Sequence, residues 1–297
     1  MKKLFLVTLG IGLFMLFDES VLAANISYDR INDAYYNLTV NGKHESNHVT
    51  KFILDGRLAY CIEPGADITT REYEANSNWK AANISVEKQI YLEKIGHFGY
   101  EYQGHHNDRY YLAAQELIWK AFDNVDIYFT NEAGKVIDLS HEKSEILALI
   151  KRYDSSPSFI NSTLKGEVGS KLSIKDENDV IADFDISDGV NHDVSIIGNS
   201  LNISFSPLVS EETFTITRKN PYNDLLLVYT KPGSQALASL RISTPLVYSF
   251  KIASFEKPKE EVKKPLIEVV KVPSTLDDKR IRFNVRSYYL NDFRRFN

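Results

Sequence analysis

The 297-residue chain predicts an α+β fold: an antiparallel β-sandwich or barrel that carries the single cysteine, a small helical subdomain beside it, and a further β-sandwich-like region. Three observations carry this prediction. A hairpin pattern ends at Cys61, helical segments occupy residues 83 to 155, and after Pro157 the text turns to short alternating runs. With 43% hydrophobic and 12% aromatic residues, the chain has material for one large or two ordinary cores, which sets disorder aside. Its 35 Lys and Arg against 40 Asp and Glu leave a net charge of −5, so no phosphate-tracking surface and no nucleic-acid partner are expected.

Lys2 and Lys3 precede the apolar run Leu4 to Phe17, and Val21-Leu22-Ala23-Ala24 follows as a small-residue cleavage pattern. This reads as a signal peptide over residues 1–23, for a secreted or cell-surface protein. The run is shorter than the ~20 residues of a spanning helix, so no transmembrane segment is expected in the mature chain. Next, "KFIL" and "RLAYCI" flank Asp55-Gly56, a two-residue turn suited to positive φ. Strand alternation puts Leu58, Tyr60 and Ile62 on one face and Ala59 and Cys61 on the other, and Pro64-Gly65 ends the strand just past the cysteine.

A helix is expected from about Asn83 to Ile95 with Ser85 as its N-cap, followed by a loop, "GHFGYEYQGHHN", from Gly96 to Asn107. The clearest helix takes Asp108 as N-cap and runs "RYYLAAQELIWKAF" to Phe122, with Ile118 its one β-branched residue. A third starts at the Ser140 cap and presents Ile146, Leu149, Ile150 and Tyr153 as a core-facing stripe. Beyond Pro157 come "KLSIKD", "ADFDIS", "HDVSIIG", "LNISFS", "TFTITR", "LLLVYT" and "RISTPLVYSFKIA". These read as strands of a sandwich or barrel, either a separate region over 156–255 or a completion of the sheet begun over 25–155. Residues 256–297 read as a Lys, Glu and Pro-rich linker and tail.

Two residues are out of place. An exported protein normally uses cysteines in pairs, yet Cys61 is alone and cannot form an internal disulfide. In the second helix Gln115 shares a stripe with Tyr111, Ile118 and Phe122, where an unpartnered amide costs about 1 to 3 kcal/mol. Hydrogen bonds to nearby backbone are the plain explanation of Gln115. A sharper one joins the two oddities: sulfur attack on the amide carbon would expel ammonia and leave an intramolecular thioester.

"YCI" at a strand end and "AAQELIW" in a helix resemble the paired signatures of the thioester domains of Gram-positive surface adhesins. Tyr60, Cys61 and Ile62 match the first; Ala114, Gln115, Ile118 and Trp119 match the second, although Leu117 stands where the common pattern has Ala. The resemblance covers roughly residues 30 to 155. It implies a Cys61–Gln115 thioester that acylates an amine, such as a lysine on a host surface protein, in a single-turnover, self-modifying reaction without cofactor or metal. Tyr60, Ile62, Ala114, Ile118 and Trp119 would then be neighbours of the thioester pocket, limiting water access. Formation needs a thiolate, favoured near positive groups or a helix N-terminus. A monomeric, adhesive, virulence-type surface protein is the implied whole, and "VPST" over 272–275 resembles an altered wall-sorting signal.

Two other classes compete. Cys61 could be the nucleophile of a hydrolase or transpeptidase, with His97, His105, His106 or His141 as base. Alternatively, Phe98, Tyr100, Tyr102 and Tyr110 could form a platform for non-covalent binding. The stretch His105-His106-Asn107-Asp108 lacks metal-ligand spacing and reads as a solvated loop.

Overall fold

The computed structural model describes residues 22–79, 82, 84–206, 211–220 and 226–257. Residues 1–21 of the expected signal peptide and residues 258–297, with the sorting-like motif, lie outside them. In chain order the elements are β1 (Leu22–Val40), β2 (Lys43–Leu54), β3 (Arg57–Cys61), β4 (Glu72–Asn76), α1 (Val86–His97), α2 (Asp108–Lys120), β5 (Val125–Thr130) and α3 (Ser140–Asp154). There follow β6 (Thr163–Glu167), β7 (Lys171–Lys175), β8 (Phe184–Ile186), β9 (Asp193–Ile197), β10 (Ser200–Ser204), β11 (Glu212–Arg218), β12 (Leu227–Lys231), β13 (Ser234–Ser239) and β14 (Val247–Phe255). The α+β class is as expected.

The first sheet runs β2-β3-β13-β12-β4-β1-β5, and a further β1–β2 pairing closes six of its strands into a ring. Long strand β1 makes this possible. Residues 22–25 pair with β4, both halves pair with β2 across an irregularity between Arg30 and Tyr35, and residues 35–40 also carry β5. Closure leaves β5 as the edge strand of this sheet and removes the edges of the other six that would otherwise invite pairing with another chain. The helices pack beside the ring, α2 touching β3, β5, α1 and α3. Thus α2 is buried from Tyr110 to Trp119 except at Leu117, rather than along a single stripe.

Two β-sheets of three (β7-β10-β9) and four strands (β6-β14-β11-β8) enclose a second core of Phe159, Phe184, Phe214, Phe250 and neighbours. The strands expected as one later region are therefore divided. Residues 226–242 lie in the first core, where β12 pairs with β4 and β13 with β3. No strand was expected at Ser234–Ser239, because both its faces are covered and the period-2 signal vanishes. Buried Arg218 ties the two cores together, donating to the carbonyls of Arg152 (2.9 Å) and Ser155 (3.1 Å) and to Asp183 (3.0 Å).

Helix ends differ from expectation by small, explicable amounts. Ser85 caps α1, accepting from the Lys88 N–H, but the helix continues to His97, where the Phe98 N–H still reaches the Lys94 carbonyl. The α2 N-cap is Asn107 rather than Asp108: its Oδ1 accepts from the Arg109 and Tyr110 N–H groups, which leaves Asp108 to pair with Lys51 at 2.7 Å. In α3, Ser140 is the first helical residue and Asp138 Oδ1 accepts its N–H.

Candidate functional site

The Asp55-Gly56 turn takes φ of 48° and 78°, the conformation its residues favour, and sets β3 in register with β2. At the end of β3, Tyr60, Cys61 and Ile62 are all buried. Tyr60 stacks on Tyr111 of α2 with ring centres 5.1 Å apart, and its hydroxyl accepts from the Tyr100 N–H at 3.2 Å. That closeness requires Gly99: a Cβ there would lie 2.8 Å from the Tyr60 hydroxyl and 2.9 Å from Ala114 Cβ. Tyr111 donates to the Thr50 carbonyl at 3.2 Å and approaches that of Ala59 at 3.4 Å, locking helix to sheet.

These contacts seat Gln115 directly on Cys61. The Cys61 N–H donates to Gln115 Oε1 at 2.9 Å, and Gln115 Nε2 donates back to the Cys61 carbonyl at 2.9 Å. Gln115 therefore is, as the plain reading held, an amide satisfied by backbone, but the backbone belongs to the cysteine. The thiol itself donates to a third side chain, Gln235 Oε1, at 3.1 Å. All three residues are at most 6% exposed. They meet on the wall of a cavity of about 650 Å³ that Trp119, Tyr36, His48 and Asp67 also line. Of the pocket neighbours read from the sequence Trp119 alone lines this cavity; Tyr60, Ile62, Ala114 and Ile118 are buried and do not.

Burial pushes the Cys61 thiol well above its ordinary range, with no offsetting cation. The positive neighbour or helix N-terminus expected to favour a thiolate is thus not what this site supplies. Tyr36, edge-on to Trp119 at 5.8 Å, is likewise pushed up to about 12, first by burial and then by Glu45.

None of the four candidate base histidines lines the cavity. His97 is buried and lowered to about 4, by burial and then by Arg241. His105, expected in a solvated loop, is buried, with Nδ1 2.9 Å from the Phe98 carbonyl and its ring stacked on Tyr110 at 3.7 Å. His106 is exposed, and His141 sits on α3 beside Glu145. The histidine that does reach the cavity, His48, attracted no notice in the sequence. Phe98 and Tyr110 belong to the core, with Tyr100 and Tyr102 packed against it, so they do not form an open platform. Among the described residues, no group of three or more His, Cys, Asp or Glu could hold a metal, and no helix is long and apolar enough to cross a membrane.

Sequence reasoning missed Gln235. A signal existed: in "SQALAS" it is the one large polar residue among small and apolar ones, the same anomaly that marks Gln115.

A family model described as a thioester domain matches residues 58–153, a span that holds both Cys61 and Gln115. Among solved structures, the thioester domain of the Staphylococcus aureus TIE protein is similar: TM-score 0.63, 21% identity, covering 80% of this chain and all of that one. A search of curated proteins finds no match. The resemblance carried by "YCI" and "AAQELIW" is thereby borne out, and the fold is shared with a thioester domain.

Proposed function

We propose that the protein is a surface adhesin whose Cys61 and Gln115 condense into a thioester that captures an amine, such as a lysine on a host surface molecule. The observation that carries this is the reciprocal pair of 2.9 Å hydrogen bonds between the Gln115 carboxamide and the Cys61 backbone, which holds the carboxamide against the residue that bears the thiol. Such positioning turns an encounter into an intramolecular step, a gain that can reach about 7 to 11 kcal/mol. In formation the Sγ–Cδ bond forms, the Cδ–Nε2 bond breaks, and the thiol proton joins the leaving nitrogen as ammonia. In capture an amine nitrogen bonds to Cδ, the C–S bond breaks, and one amine proton passes to sulfur. Each chain acts once, as an acyl donor rather than a turnover enzyme.

Burial of all three polar residues supports the reading, because a thioester open to bulk water is lost to hydrolysis. Intact mass spectrometry tests it. The wild-type chain should be lighter by one ammonia than its calculated mass, should gain one methylamine on treatment with that amine, and the Cys61→Ala variant should do neither. A wild-type mass equal to the calculated value, with a titrating thiol, would reject the proposal.

A further inference from the structure

We propose that Gln235 is a third member of the reacting group: the hydrogen-bond acceptor that aims the Cys61 thiol so that its lone pairs face Gln115. The proposal rests on the thioester reading and extends it to a residue 174 positions from the cysteine and outside the family-model match.

Strand pairing supplies the placement. Leu237 of β13 lies opposite Cys61, so Gln235, two residues earlier, projects from the same face as the diagonal neighbour of the thiol. Its carboxamide is held by other contacts. Nε2 donates to the Glu63 carbonyl at 2.9 Å, the backbone N–H donates to the Asp67 carbonyl at 2.8 Å, and the backbone carbonyl accepts from the Tyr73 hydroxyl at 3.1 Å. With Nε2 committed, Oε1 is the atom presented to sulfur, 3.1 Å away. Gln115 is engaged with the cysteine backbone instead, its oxygen accepting the Cys61 N–H and its nitrogen donating to the Cys61 carbonyl, and the S–H hydrogen bond runs to Gln235.

Two carboxamides therefore flank one thiol with separate tasks. Gln115 offers the carbon that is attacked; Gln235 accepts the S–H and fixes the rotation about Cα–Cβ. An S–H directed at Gln235 leaves the sulfur lone pairs off that axis. During formation the thiol proton ends on the departing nitrogen, and after capture the sulfur is protonated again and returns to Gln235. Gln235 itself neither gains nor loses a proton. This also accounts for a buried amide where a hydrophobic residue would otherwise serve the core better.

The lone cysteine makes the test direct, since the protein has a single S–H stretching band in the infrared. The free thiol is obtained by opening the wild-type protein with methylamine. Its band should lie at the lowered frequency of a hydrogen-bonded thiol and move up in Gln235→Met, while refolding Gln235→Met should release ammonia about tenfold more slowly. A wild-type band at the unbonded position would overturn the proposal even if the variant does not fold, and so would identical bands in both proteins. Ammonia loss that survives Gln115→Ala but not Gln235→Met would overturn it differently, by making Gln235 the acyl partner. A full-mass wild type whose thiol band is nonetheless lowered would sink the thioester reading while sustaining Gln235 as the acceptor.

Discussion

A thioester between Cys61 and Gln115 would be a covalent cross-link, and its effect on stability can be worked from the chain. The two residues are 54 positions apart. In the chain-entropy treatment of disulfides, closing a loop of that length removes unfolded-state freedom worth about 4 kcal/mol at 25 °C. Against this stand two hydrogen bonds that closure removes, from Gln115 Nε2 to the Cys61 carbonyl and from the Cys61 thiol to Gln235, together costing about 2 kcal/mol. Opening the link with methylamine restores an amide N–H on residue 115 and a thiol on residue 61, close to the geometry described above. The treated protein should therefore be less stable by about 2 kcal/mol. For a unit of this size that is a fall in Tm of about 4 to 8 °C. Scanning calorimetry before and after treatment measures it, with mass spectrometry confirming that the link has opened and Cys61→Ala showing no response. Coincident melting curves for closed and opened protein would refute the reasoning.

Substituting Gly99 by Ala should disturb the site from behind, because the new Cβ collides with the Tyr60 hydroxyl and with Ala114 Cβ. A loss of about 1 to 3 kcal/mol in urea unfolding, and a smaller ammonia-deficient fraction in the mass spectrum, are expected; an unchanged protein would contradict the packing described. In the second core, burial raises the Asp176 carboxyl, but the N–H groups of Ser158, Val180, Asn178 and Ile181 outweigh it and hold the group below its ordinary value. A depressed folded-state value means stability that is present above the unfolded carboxylate range and lost as pH falls through the folded one. Asp176→Asn should thus be less stable at neutral pH and show a shallower loss on acidification, read by unfolding titrations between about pH 6 and pH 2; equal slopes would rule this out.

The sequence by itself singled out Cys61 and Gln115 and determined their local setting. A lone cysteine in an apolar strand and an amide in a buried helix are anomalies visible without coordinates, and Asp55-Gly56 and the helical periods depend on residues within a turn of one another. Ring closure, the division of the later strands and the recruitment of Gln235 were decided only by tertiary structure. β1 mixes Asp, Arg and Asn into its pattern because its halves serve different partners, and β13 shows no alternation because both its faces are buried. Even the cap of α2 moved by one residue, since Lys51, 57 positions away, claims Asp108. Periodicity reports which side of an element is covered, whereas which strand covers it is settled by pairing between segments far apart in the chain, and no local pattern records that choice.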